Sequence, residues 1–547
     1  MKRIIDVIDN SPYFSCEVFP PKTDQGLENL VWRAKRLESA GARFISVTWG
    51  AGGSSAEASL QLAEKLKNEL KIPILLHLTC TNIDQALLES SLAKARELGI
   101  RNILALRGDP PRNDYAQSSS LGNAADLVAW IRAHHGEYFC IGVAGYPEGH
   151  AEGSSMDHSV EKDMPFLMKK VRNGADFIVT QLFYDANKFI EYERTLRSHQ
   201  SGLFKTLPII PGLMPINTYK TFLRSTKLSS ASVPASIQER LNAVDLHDDE
   251  KVKEVGVEIL CDIINELKTH NIHGTHLFTL NLEKSVLAIV EKTHLGKQVV
   301  PYAWDDFTNG RYTDPDSAAY GELDGYGPVV HGTIDGKPNV QWGELRSTTD
   351  IANLLIRNLT NEIDVTPFTD SFPSRETYLI QEQLIALNKQ DMWTLASQPA
   401  INGVDSEDRL VGWGPPCGKV YQYPFVELLL SPTHWSKLEQ RLKRDERLKY
   451  FATNDKKIFS TNCLDKEKIA VTWGCWSSGI QNSTFLSGDS FKAWGEEVFD
   501  ILRNWQGLYS SDSQEFLLIN SVITSRVLVT VTLLNTEDDF WNILLSS

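Results

Sequence analysis

Several common protein classes are argued against by what this sequence has little of. Its 547 residues hold only seven cysteines, Cys16, Cys80, Cys140, Cys261, Cys417, Cys463 and Cys475, with no CxxC pair and no Cys/His cluster at zinc spacing. That pattern argues against a disulfide scaffold or a structural zinc site, and reduced thiols in a cytosolic home are expected. No run of 18 apolar residues occurs, and the opening Met1-Lys2-Arg3-Ile4-Ile5-Asp6 has no apolar h-region, so neither a membrane span nor secretion is expected. Positive charge is in deficit, with 55 Lys and Arg against 70 Asp and Glu, a net −15. Sequence-independent binding to nucleic acid or anionic membranes is thereby disfavoured, although a local basic pocket can still hold an anion. Phosphate-loop signatures are missing too. Gly50-Ala51-Gly52-Gly53-Ser54-Ser55 could cradle a phosphate through backbone amides, but it matches neither GxGxxG nor a Walker A loop. Gly412-Trp413-Gly414-Pro415-Pro416 reads as a packed turn. There is no solenoid repeat.

What is present is a rhythm. Hydrophobic content of 42% and charged content of 23% are those of a globular protein, and the length implies more than one domain. Short apolar runs recur at Phe14–Phe19, Phe44–Gly50, Ile74–Cys80, Ile103–Asp109, Phe139–Tyr146, Phe177–Tyr184, Ile209–Pro215 and Thr275–Asn281. Between them lie stripes of helical spacing such as Leu27, Leu30, Val31, Ala34 and Leu37, opening after Asp24 as a plausible N-cap. Gly41, Gly99 and Gly174 stand where left-handed helix ends are expected. Eight strands with intervening helices predict a (β/α)8 barrel over 1–295, with extra helices near 234–244 and 250–269. Residues 296–345, rich in Asp, Gly, Pro and Tyr, read as an ordered linker. Residues 346–547 read as a separate α+β domain, with strands at Trp393–Ser397, Tyr423–Leu430 and Ile469–Gly474 and two or more within Glu515–Leu534.

In such a barrel the carboxyl ends of the strands build the site. Those ends offer Glu17, Thr48, Trp49, His77, Thr79, Arg107-Gly108-Asp109, Tyr146, His150, Gln181 and Phe278. The set contains acids, a cation, amide and hydroxyl groups and aromatic faces. It lacks a nucleophile–base pair and a metal shell, so a cofactor is expected to bring the hard chemistry. Each residue has a plainer reading. His77 can be a hydrogen-bonded core histidine, and Arg107-Gly108-Asp109 can be a turn carrying an ion pair. Glu17 resists that reading, because a carboxylate in a buried strand is costly unless paired or protonated.

These residues fall in motifs: Phe19-Pro20-Pro21-Lys22 after Glu17, Ser46-Val47-Thr48-Trp49-Gly50, His77-Leu78-Thr79-Cys80, Leu106-Arg107-Gly108-Asp109, Ala144-Gly145-Tyr146-Pro147-Glu148-Gly149-His150, Thr180-Gln181-Leu182-Phe183-Tyr184-Asp185 and Thr279-Leu280-Asn281. Together they resemble methylenetetrahydrofolate reductase. The second half resembles the regulatory domain of the eukaryotic two-domain form, through Gly321-Glu322-Leu323-Asp324, Ser397-Gln398-Pro399, Val411-Gly412-Trp413-Gly414-Pro415 and Val471-Thr472-Trp473-Gly474.

The resemblance implies an FAD enzyme that takes hydride from NADPH or NADH and then reduces 5,10-methylenetetrahydrofolate to 5-methyltetrahydrofolate by a ping-pong mechanism, supplying methyl groups for methionine synthesis. It implies Glu17 as general acid for opening the methylene bridge, with a pKa expected to be raised by burial. Asp109 is implied as the group that hydrogen-bonds the pterin beside the flavin, and Gln181 as an amide contacting pterin and nicotinamide. FAD-contacting positions fall on Thr48, Trp49, His77, Arg107, Gly108, Asn123, Ala124, Tyr146, His150, Asp163 and Lys170, and folate-facing aromatics on Tyr219 and Phe278. S-adenosylmethionine, an expected feedback inhibitor, would meet Glu376, Thr377, Thr394, Ser397, Thr472 and Thr484. A homodimer is also implied, with no nucleic-acid or membrane partner.

Some positions depart from the family pattern. Leu282 stands where many relatives have a folate-contacting arginine, Phe166 replaces a polar residue and Asn123 an aromatic. The chain starts almost at its first strand, so a phosphorylatable amino-terminal extension is not expected. Two rivals stay open: a weakened FAD-binding paralogue acting as a metabolite sensor or partner subunit, and a flavin-free barrel lyase. No lysine lies on the eight strands to form the Schiff base an aldolase would use.

Overall fold

The computed structural model describes the chain except residues 50–55, 81–83, 109–120, 151–158, 247, 301–317, 320–329, 332, 334–336, 370–371, 465–466, 478, 538 and 546–547. The chain divides into two compact units, one of Met1–Pro21 with Leu27–Asp305 and one of Lys22–Gly26 with Asp306–Ser547. The Gly50–Ser55 loop, Asp109 and most of the 296–345 segment lie outside the described residues.

In the first unit eight parallel strands close into a barrel in sequence order: β1 (Tyr13–Val18), β2 (Ile45–Val47), β3 (Ile74–Thr79), β4 (Asn102–Leu106), β5 (Cys140–Gly145), β6 (Phe177–Leu182), β7 (Ile209–Leu213) and β8 (Gly274–Phe278). Most strands stop one to three residues before the apolar run does. The remaining residues of each run turn into the loop above the barrel, which is where polar site residues must stand. Gly41, Gly99 and Gly174 take positive φ of 107°, 73° and 111°, as helix ends of this type require. Asp24 is the first residue of its helix (Asp24–Ala40), one position inside the expected cap. Three helices, Tyr219–Ser229, Ala235–Asn242 and Asp249–Thr269, separate β7 from β8.

The barrel interior is apolar at its lower end. Ile4, Phe44, Leu75, Leu104, Cys140, Phe177, Val179 and Ile210 form one buried cluster. Asn102 closes that floor, its Oδ1 accepting the Ile4 amide at 2.8 Å and its Nδ2 donating to the Ile74 carbonyl at 3.2 Å. The upper interior is polar, and that contrast positions the site.

The second unit holds two antiparallel sheets. One has the order β10 (Ile401–Asp405), β11 (Lys419–Gln422), β15 (Lys468–Trp476), β16 (Gly479–Ser487); the other β14 (Ser460–Thr461), β13 (Leu448–Asn454), β17 (Val527–Leu533), β12 (Phe425–Leu430), β9 (Met392–Gln398). The stretch expected to give two strands within Glu515–Leu534 instead gives a helix, Gln514–Ser525, and then one strand, β17. The buried residues Ile519, Val522 and Ile523 follow helical spacing, and the Ser513 side chain caps the start by accepting the Phe516 amide. The Gly412–Pro416 segment is a packed turn: a side chain on Gly412 would collide with the Asp408 and Ser406 carbonyls, and Trp413 packs edge-on against Trp476 at 5.2 Å.

Candidate active site

Along four neighbouring strands, alternate positions carry polar or aromatic side chains at the barrel mouth: Ser15 and Glu17 on β1, Ser46 on β2 with Thr48 just beyond it, His77 and Thr79 on β3, and His276 and Phe278 on β8. Alternation puts residues two apart on the same face, so each pair points the same way. Pairing then aligns Ser15 with His276, Glu17 with Phe278 on one side, and Glu17 with Ser46 on the other.

The Glu17 carboxylate lies 3.6 Å from His77 Nε2 and 3.6 Å from His276 Nε2. His276 is fully buried, its Nδ1 2.7 Å from Ser15 Oγ and its Nε2 3.3 Å from Ser46 Oγ. Its ring stacks on Phe44 at 5.6 Å and meets Phe278 edge-on at 5.4 Å. Burial pushes the Glu17 carboxyl up, but the His77 and His276 imidazoles pull it down, and the net position is below the ordinary carboxylate value. The expected raised pKa is therefore corrected: the acid sits among bases, and they outweigh desolvation. Burial lowers the His77 pKa more than Glu17 raises it, so the imidazole is neutral at pH 7.

Three buried polar atoms here have no hydrogen-bond partner among the described residues: Trp49 Nε1, His77 Nε2 and Thr79 Oγ1. His77 is consequently not a satisfied core histidine. Buried donors and acceptors are nearly always paired, and three orphans together mark a place for a ligand. Gly108 beside them adopts φ of 84°, and a side chain there would meet Thr79 Cβ at 2.8 Å.

A cavity of about 410 Å³ opens between β4, β5 and two flanking helices, Ala124–His135 and Val160–Arg172. The strand ends contribute Arg107 and Tyr146, with His150 from the following loop; the helices contribute Asn123 and Ala124, then Asp163 and Lys170. Lys170 is buried, donates to the Ala144 carbonyl at 3.0 Å and sits 5.4 Å over the Tyr146 ring, which meets His150 edge-on at 4.5 Å. Desolvation and the Arg107 charge lower the Lys170 pKa, against an opposing pull from Asp163. Asn123 is committed to its helix: Oδ1 accepts the Ala125 and Asp126 amides at 2.9 and 3.1 Å, and Nδ2 donates to Asp126.

Gln181 sits where the pairing of β6 with β7 slips between Val179 and Leu182, and its Oε1 accepts the Leu182 amide at 2.9 Å. Tyr219 opens the helix after β7, and its hydroxyl accepts from Gln238 at 3.0 Å. Ser15 and His276 are not among the residues the sequence points to, and Ser46 enters only as the first residue of the Ser46–Gly50 motif. The period-two polar pattern on β1, β2 and β8 was the signal available for them.

In the second unit, Glu376 and Thr377 lie in a short 3-10 turn (Arg375–Leu379). Thr472 on β15 pairs with Thr484 on β16 and with Gln422 on β11, whose Nε2 donates to Glu376 Oε2 at 3.2 Å. Thr472 Oγ1 donates to Gln398 Oε1 at 3.1 Å, and Gln398 sits next to Ser397 on β9. Glu376 and Ser397 are thus tied to Thr472 through Gln422 and Gln398, two glutamines not among the expected site residues, and Thr484 joins them by its pairing with Thr472. Thr394 stands apart, its Oγ1 accepting Asn388 Nδ2 at 2.7 Å.

The family model of methylenetetrahydrofolate reductase matches residues 1–294, and that of its S-adenosylmethionine-binding regulatory domain matches residues 298–544. The chain belongs to the methylenetetrahydrofolate reductase family. It is 38% identical to methylenetetrahydrofolate reductase 2 of Schizosaccharomyces pombe, covering 97% of each chain. It is 34% identical to methylenetetrahydrofolate reductase (NADH) 1 of Arabidopsis thaliana over 95% of each chain. It is 31% identical to a probable methylenetetrahydrofolate reductase (NADPH) of Caenorhabditis elegans, over 99% of this chain and 88% of that one. Family membership makes the chain an oxidoreductase of one-carbon folate metabolism built on a TIM barrel, followed by an S-adenosylmethionine regulatory domain.

Proposed function

We propose that the barrel reduces 5,10-methylenetetrahydrofolate to 5-methyltetrahydrofolate as an FAD enzyme, with NADPH or NADH as reductant in a ping-pong cycle. The observation that carries this reading is Glu17 between two imidazoles, next to three orphaned polar atoms and a cavity holding Arg107 and Lys170. The residues fit a flavin dinucleotide. Arg107 and Lys170 suit its pyrophosphate, while Trp49, His77 and Thr79 offer polar atoms with no partner of their own. When bound, FAD would supply the hydride relay from nicotinamide to folate.

The chain's own part is the proton. The methylene bridge opens only when the N10 side is protonated, and Glu17 is the acid at the mouth. Its carboxyl is held low by the two imidazoles 3.6 Å away, so His77 and His276 are the groups that position Glu17 for the proton transfer. Ser15 and Ser46 fix the His276 ring so that Nε2 faces the carboxylate. Gln181 offers an amide to pterin or nicotinamide, and Phe278 a flat wall steadied by His276. Asp109 and Tyr219 complete the proposed folate set.

In the regulatory domain, S-adenosylmethionine would bind through Glu376, Thr377, Thr394, Ser397, Thr472 and Thr484 and inhibit by feedback. A cytoplasmic homodimer that supplies methyl groups for methionine synthesis, with NADPH preferred, completes the reading. Anaerobic mixing tests it. NADPH or NADH should bleach the flavin absorbance of the purified protein, and methylenetetrahydrofolate should restore it. A colourless protein, or one that bleaches with neither nicotinamide, would defeat the proposal.

A further inference from the structure

The helix Val160–Arg172, capped by Ser159 through the Lys162 amide, turns one face to the cavity. Ser159, Asp163, Phe166 and Lys170 follow each other at spacings of four, three and four, which stacks them on that face. Asp163 and Lys170 are buried, whereas the Phe166 ring between them is 61% exposed, although it lines the cavity. A large aromatic on a cavity wall, left open to water, is half of a contact. Its position in the cavity narrows what the other half is. The reacting end is fixed by Glu17, His77 and His276 at the barrel mouth. The cations Arg107 and Lys170 lie on the cavity side, and Phe166 is carried by a helix outside the barrel wall. A dinucleotide laid from the mouth across the cations brings its second base, not its reactive ring, to the helix.

We infer that Phe166 is the stacking platform for the adenine of the bound flavin dinucleotide, and so a residue that makes the site select FAD over FMN. The inference rests on the FAD reading above. Stacking of a base on an aromatic side chain stabilises the bound state, and covering the ring also removes exposed apolar surface from water. Because the ring is exposed, its removal leaves the core intact.

The test is flavin binding to the full-length apoprotein, followed by fluorescence, with FAD and FMN as separate probes and thermal melting as a check of folding. Phe166→Ala should weaken FAD binding about tenfold and leave FMN binding unchanged, whereas Phe166→Trp should retain the parent's FAD affinity. Three results would overturn the inference: equal FAD affinity in the alanine variant, an equal loss for both flavins, or a change confined to the KM for nicotinamide. If the parent protein binds neither flavin, the FAD reading itself fails and this inference with it.

Discussion

Glu17 and His77 are the residues whose chemistry can be checked one atom at a time. Glu17→Gln keeps the side chain's shape but removes the transferable proton. Flavin reduction by nicotinamide should then stay within about twofold of the parent, while reoxidation by methylenetetrahydrofolate should fall by about 10²-fold or more, the usual worth of a general acid. Stopped-flow absorbance of the two half-reactions separates these outcomes. His77 makes a different prediction. Burial holds its pKa below 6.5, so the unfolded chain takes up a proton before the folded one does. Its contribution to stability is therefore complete above pH 6.5 and is lost as pH falls through the lower folded value. The melting temperature of His77→Gln should lose less than the parent's between pH 6.5 and 5. At this scale the sequence was readable where a polar residue interrupted an apolar run, as at Glu17, His77 and Gln181. His276 was hidden because Phe278, two residues on, drew the reading to itself, and only the pairing with Ser15 shows what the imidazole does. The sign of the Glu17 shift was also out of reach, because it depends on two histidines from other strands.

Strands and sheets carry predictions of their own. A side chain added at Gly212 on β7 would run into the Thr180 carbonyl and approach the Phe278 ring at 2.8 Å. Gly212→Ala should cost roughly 1–3 kcal/mol in denaturant unfolding and raise the KM for folate, because the Phe278 wall must shift. On β12, Glu427 is pushed up to about 7 by burial, against the nearby Trp494 indole and a hydrogen bond from Thr530. Its raised pKa gives stability that is present below pH 4.5 and lost as pH rises through 7. Glu427→Gln should match the parent's unfolding free energy near pH 4.5 and exceed it at pH 8 by about 1–3 kcal/mol, read by denaturant unfolding. All eight barrel strands were legible, because a parallel strand buried on both faces is a bare apolar run. The helix Gln514–Ser525 was not: Phe516, Leu517, Leu518 and Ile519 form such a run too, and only the burial of Ile519, Val522 and Ile523 beside the Ser513 cap reveals the helical period.

For the molecule as a whole, occupancy of one unit should be felt in the other's activity. Added S-adenosylmethionine should depress turnover of the purified enzyme, and Glu376→Gln should raise the half-inhibiting concentration about tenfold. That factor matches the loss of one charge-assisted hydrogen bond, about 1.4 kcal/mol. Steady-state titration at fixed reductant checks it. The orphaned Trp49 Nε1, His77 Nε2 and Thr79 Oγ1 have a practical consequence as well. A barrel whose uppermost layer is left chemically hungry becomes tougher when fed. Heat tolerance should therefore climb with the logarithm of free flavin in the buffer, so that a melting curve run on any preparation reads out how much of it is loaded.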